Sequence, residues 1–169
     1  MNYFELYNLP VSLHPDAAKV KKTFYELSRK YHPDFYTAAT ENEQAEVLEK
    51  SSDVNKAFKI FSNAEATIQY VLQLKGLLEE EEKYQLPNAF LMEMLELNET
   101  AMDAKMEEDT AKLQQLQAAI HELSTTIYEP VKQIVEHYQE GITTQEELLQ
   151  VKEYYFKKKY LNRILASSN

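Results

Sequence analysis

Between Leu113 and Tyr138, the apolar residues Leu116, Ile120, Leu123, Ile127, Val131, Ile134 and Tyr138 recur every three or four positions without a break in phase. No other feature limits the fold as strongly. A half-buried strand alternates with period two, so this spacing is compatible only with helix. Pro130 lies inside the stripe, where its ring is expected to kink the helix without ending it. The rest of the chain agrees, with two Gly and five Pro in 169 residues and long stretches of Leu, Glu, Lys, Gln and Ala. These are good helix formers, and the fold class they predict is all-α. A hydrophobic fraction of 44% is ample for a packed core, and the length suits one domain or two small ones.

Several classes are excluded early. No apolar run approaches the roughly 20 residues a bilayer-spanning helix needs. The opening MNYFELYNLP lacks the basic and apolar regions of a signal peptide, so a cytoplasmic location is expected. Cysteine is absent, which rules out disulfides and thiolate-ligated zinc or iron. A net charge of −10 argues against nucleic acid, whose phosphates need clustered Lys and Arg. The charge is uneven, however. From Ala17 to Tyr31 five Lys or Arg stand against the single acid Glu26. A basic face in an acidic chain points to an acidic partner.

That basic stretch, KVKKTFYELSRKYHPD from Lys19 to Asp34, is the candidate functional element. Val20, Phe24, Leu27 and Tyr31 fall on one helical stripe and leave Lys19, Lys22, Arg29 and Lys30 facing water. Pro33 should then end the helix and push His32 into an extended conformation, presenting His32 and Asp34 in a tight exposed bend. His-Pro-Asp also occurs at His14-Pro15-Asp16. Only the second copy follows a basic helix; in the first, Asp16 sits where that helix needs its N-cap.

Around this element, Tyr3 to Leu9 reads as a short helix with Asn2 as a possible N-cap and Pro10 ending it. Thr40 with Glu43 opens a helix whose Val47, Ser51, Val54, Phe58 and Phe61 repeat at helical spacing, the antiparallel partner of the basic helix. Ser62 with Glu65 is a second capping pattern, opening a helix with Ile68, Val71 and Leu72 on one side that stops at Gly76. Four helices over residues 1–76 would form one small domain. Residues 77–87, with the acidic run Glu79 to Glu82, read as a solvating linker without chemistry.

Residues 88–169 then predict a bundle of three long helices. In the first, Asn88 to about Met106, the residues Phe90, Met94, Leu97 and Ala101 share a narrow arc at about 100° per residue and form a core face. Leu91 and Leu95 project to its side, and Met92 lies nearly opposite, grouped with Glu96, Glu99 and Asp103. Two readings fit: an exposed apolar patch rimmed by acids and kept for a partner, or a wide face that neighbouring helices cover. Thr143 with Glu146, or Thr144 with Glu147, caps a last helix reaching about Leu165. Tyr154, Tyr155, Phe156 and Tyr160 make its middle aromatic almost all round.

The basic helix followed by His32-Pro33-Asp34 resembles the J-domain of DnaJ-type co-chaperones. The opening NYFELYNLP, the stretch Ile68 to Leu72 and the segment AFLMEMLELNE at Ala89 to Glu99 extend the resemblance to the HscB family of iron–sulfur cluster assembly, over nearly the whole chain. The resemblance implies an N-terminal four-helix J-domain joined by a short linker to a C-terminal three-helix bundle. It implies that the J-domain docks on an HscA or DnaK-type ATPase chaperone and stimulates ATP hydrolysis, while the bundle binds the cluster scaffold IscU. Carried over residue by residue, His32, Pro33, Asp34, Lys22, Arg29 and Lys30 would face the chaperone. Leu91, Met92, Leu95, Glu96, Glu99, Asp103 and Phe156 would face the scaffold. Two positions depart from the family pattern: Phe35 stands where Lys often follows the tripeptide, and Asp103 replaces a Glu. A J-type adaptor for a different client is the alternative.

No enzyme constellation competes with this reading. None of His14, His32, His121 or His137 has a Glu three residues before it, as a di-metal bundle would need, and no P-loop or HExxH pattern occurs. Neither catalysis, a metal nor a cofactor is expected, and neither nucleic acid nor membrane is an expected partner.

Overall fold

Short polar side chains open most of the helices, each accepting a hydrogen bond from a backbone N–H that the helix itself leaves unpaired. The computed structural model describes residues 1–168, and these are helical without a strand. Asn2 caps α1, Tyr3–Leu6, through Glu5 N–H. This helix is shorter than the Leu9 end the sequence suggests. Asn8 adopts a left-handed φ of 51°, which breaks the helical run before Pro10 is reached. Asp16 caps α2, Ala17–Lys30, accepting from Ala18 and Lys19 N–H at 2.9 and 3.1 Å. Thr40 caps α3, Glu41–Phe61, through Glu43 N–H at 3.2 Å.

The next cap corrects the reading of Ser62. That residue ends α3, and Asn63 instead accepts Ala66 N–H at 2.8 Å to open α4, Ala64–Leu74. Asn binds the exposed N–H as well as Ser does, and it sits one position closer to the new helix. The end of α4 is as expected. Gly76 takes φ +70°, and Leu77 N–H reaches back to the Leu72 carbonyl at 2.9 Å, the six-to-one bond of a Schellman turn.

Chain contacts divide the protein into two compact units, residues 1–71 with 138–142 and residues 72–137 with 143–169. In the first, α2 and α3 form an antiparallel pair, with the Phe24 and Phe58 rings stacked 4.1 Å apart. Phe4, Tyr7, Leu13, Val20, Val54, Ala57, Phe61 and Ile68 are buried. The Tyr7 hydroxyl donates to the Val54 carbonyl at 2.7 Å, so this buried phenol is satisfied and α1 is tied to α3. Burial pushes its pKa far above the usual tyrosine value. Tyr70 stacks on Tyr3 and accepts Tyr3 N–H at 2.8 Å, which joins α4 to the start of the chain.

In the second unit, α5 (Asn88–Met106), α6 (Thr110–Tyr128) and α8 (Gln145–Ser167) pack pairwise as a three-helix bundle. Its core gathers Leu86, Phe90, Met94, Ala101, Leu116, Ile120, Leu161 and Ile164. Leu97, assigned to the core stripe, is only half-buried at its edge, and Ala104 is fully buried. At Pro130 the backbone passes through a 3-10 turn, Glu129–Val131, before resuming as α7, Lys132–Glu136. The stripe is therefore carried by two helices, α6 ending at Tyr128 and α7 stopping at Glu136 short of Tyr138, where the sequence suggests one kinked helix. Thr144 and Glu147 make a complete reciprocal capping box on α8, which decides between the two alternatives.

The acidic run is more than a solvating spacer. Glu82 forms an ion pair with Lys152 of α8 at 2.7 Å, the two side chains being only 19% and 13% exposed, and it also accepts Glu79 N–H at 3.1 Å. Those two hydrogen bonds hold the Glu82 carboxyl below the usual range. Tyr84 stacks face to face on Phe156 at 4.6 Å, and Leu86 enters the bundle core. An irregular segment with a turn at Glu80–Glu81 and no helical period thus straps the bundle.

Candidate functional site

Where α2 ends, its last carbonyls need partners and Pro33 has no N–H to offer. Tyr31 and His32 N–H close on Leu27 and Arg29, and the Tyr36 hydroxyl donates to the Lys30 carbonyl at 2.8 Å. Pro33–Tyr36 then forms a single 3-10 turn. From the other side, Gln44 of α3 donates its amide to the Tyr36 and Thr37 carbonyls at 3.0 and 3.3 Å. The loop is thereby pinned at both flanks although its side chains stand in water.

Within the turn, His32 Nδ1 accepts Asp34 N–H at 3.2 Å and lies 3.6 Å from the Asp34 carboxylate. Accepting at Nδ1 leaves Nε2 as the donor of the neutral ring. His32, Pro33 and Asp34 are all exposed, as are Lys22, Arg29 and Lys30 along α2. Structure therefore brings the tripeptide and the end of the basic face together. Phe35, at the position that departs from the family pattern, is 74% exposed. The first His-Pro-Asp differs: Asp16 Oδ1 accepts two backbone N–H groups of α2 and serves as the N-cap of that helix.

On the bundle, α5 divides by face. Met92 and Leu95 are 67% and 57% exposed, and Glu96, Glu99 and Asp103 lie in water beside them. Leu91 is half-buried and packed on the core, so neighbouring residues cover Leu91 but leave Leu95 exposed. Phe156 is also partly covered, by the Tyr84 ring. Leu91 and Phe156 nevertheless share a cleft of about 260 Å³ with Tyr84, Tyr160, Lys159 and Arg163. Tyr84, Lys159 and Arg163 carry no motif that marks them in the sequence, and Tyr160 is visible there only as one of the aromatics of the last helix.

A DnaJ domain matches residues 2–70 and an HSCB C-terminal oligomerisation domain matches residues 86–168. A co-chaperone protein HscB homolog from Psychromonas ingrahamii is 34% identical over 127 residues, covering 71% of this chain and 75% of the relative. The chain belongs to the HscB family of J-domain co-chaperones. Its fold agrees with that of the human co-chaperone protein HscB, with TM-score 0.83 and 25% identity over 99% of this chain and 80% of the human one. Chaperone HscB from Vibrio cholerae superposes with TM-score 0.77 over 99% and 95% of the two chains; at 21% identity that likeness bears on fold alone. Among the described residues no helix is long and apolar enough to cross a membrane. The HscB resemblance implied by the three sequence stretches is thus established for the family and the all-helical fold.

Proposed function

We propose that this HscB-family chain docks on an HscA or DnaK-type ATPase through His32, Pro33 and Asp34 with Lys22, Arg29 and Lys30, stimulates its ATP hydrolysis, and delivers to it an IscU-type iron–sulfur scaffold held on α5. The observation that carries this reading is the exposed His32–Asp34 turn, pinned by Tyr36 and Gln44 at the end of a basic helix. A rigid bend presents its polar groups to a partner without first being ordered, which lowers the entropic cost of docking. The basic face beside it favours encounter with an acidic surface. Met92 and Leu95, with Leu91 and Phe156 at their side and Glu96, Glu99 and Asp103 as an acidic rim, have the anatomy of a docking patch.

Single-turnover ATP hydrolysis by a candidate chaperone tests the first half; acceleration by the chain is the expected result. Calorimetric titration with purified apo-scaffold tests the second. Replacing Leu91, Met92 and Leu95 together by Ala should remove most scaffold affinity, each such burial being worth on the order of 1.5–3 kcal/mol. A triple variant that binds the scaffold normally would refute the assignment and favour an adaptor for another client.

A further inference from the structure

Beyond Leu95 the outer face of α5 continues to carry large apolar side chains. Met102 is 58% exposed and Met106 is 81% exposed, as open as Met92 and Leu95. At about 100° per residue, Leu91, Leu95, Met102 and Met106 fall in one lane along the helix. From Leu91 to Met106 that lane is about 22 Å long at a rise of 1.5 Å per residue. Glu96, Glu99 and Asp103 form a second lane at its side, with Met92 among them. The only cation of α5, Lys105, is turned away from both and donates to the Ser167 carbonyl at 3.1 Å.

We infer that the client surface spans the whole of α5, with Met102 and Met106 as a second anchor pair. Its occupant is the same client protein, bound through an elongated face that has an apolar ridge and Lys or Arg along one edge. This rests on the reading that α5 faces the scaffold, and two features carry it further. Met102 and Met106 lie in the same lane as Leu91 and Leu95, two turns further along past Asn98 and Glu99. Its acidic flank is unbroken by a positive charge, so it selects a basic edge and disfavours a second copy of this acidic face. Thioether side chains suit such a surface, because their unbranched chains adapt to an irregular partner. A helix that needed these positions only for solubility would carry charge there.

The test uses the full chain and the purified apo-scaffold. Met102→Ala with Met106→Ala is compared by calorimetry with Met92→Ala with Leu95→Ala, and both are melted. The extended surface predicts that each pair lowers scaffold affinity roughly 10-fold or more, with melting temperatures near the parental value. If Met92→Ala with Leu95→Ala weakens binding while Met102→Ala with Met106→Ala does not, the extension is wrong and the shorter patch stands. If neither pair has an effect, the scaffold reading itself fails. A large fall in melting temperature for the Met102/Met106 pair overturns the inference by making these residues packing. So does light scattering that shows the chain to self-associate and the pair to abolish it, which would make the lane a contact between copies.

Discussion

His32 and Asp34 combine two properties at the level of single residues: they are exposed, yet they are held by hydrogen bonds that do not depend on the fold's core. Asp34→Asn and His32→Gln should therefore remove ATPase stimulation with little change in melting. Asp16→Ala gives the opposite pattern, because that carboxylate caps α2. It should cost about 0.5–2 kcal/mol of stability while the folded molecules still stimulate. Denaturant titration beside the ATPase assay separates the two copies of the motif. Glu82 supplies a pH test. Its folded-state pKa lies below the unfolded value of about 4.3, so its contribution is complete above that value and is lost as the pH falls through the folded-state value. Glu82→Gln should lower stability at neutral pH and flatten the stability curve on the acid side. An unchanged acid limb would mean that the Lys152 pair contributes nothing.

At the scale of elements, the helices were legible where the signal is local. Asp16, Thr40 and Thr144 act within three residues of the N–H groups they bind, so their positions in the sequence were enough to find them. Ser62 misled because Asn63 beside it is an equally good cap, and only the geometry of the turn chooses. The strap at residues 77–87 was illegible for a different reason: an irregular segment shows no period, and its worth depends on Lys152 and Phe156, some 70 residues away in sequence. The same distance in sequence hid the covering of Phe156 by Tyr84 and the half-burial of Leu91. Two predictions belong here. Lys22→Glu with Arg29→Glu should slow chaperone association and flatten its dependence on salt near the ~8 Å screening length of 0.15 M ionic strength. Stopped-flow rates indifferent to both changes would make the basic face merely solvated. Met94→Ala, at a position with no exposure, should cost about 2–5 kcal/mol by leaving a cavity in the bundle, more than Leu97→Ala at the half-buried edge.

Taken whole, the molecule carries its two candidate surfaces on different compact units, the His32–Asp34 turn in one and α5 in the other. The net charge of −10 is unevenly distributed, and a basic face on α2 and an acidic lane on α5 would suit the acidic chaperone and the basic client proposed above. Loss of one interaction should then leave the other intact. The most direct measurement is single-turnover ATP hydrolysis by an HscA or DnaK-type chaperone, with and without apo-scaffold, for the parental chain, Asp34→Asn, and the Leu91/Met92/Leu95 triple alanine variant. The account predicts that the parental chain accelerates hydrolysis and that scaffold adds to the effect. Asp34→Asn should abolish both effects while still binding scaffold, and the triple variant should stimulate alone but gain nothing from scaffold. Full stimulation by Asp34→Asn would contradict the account.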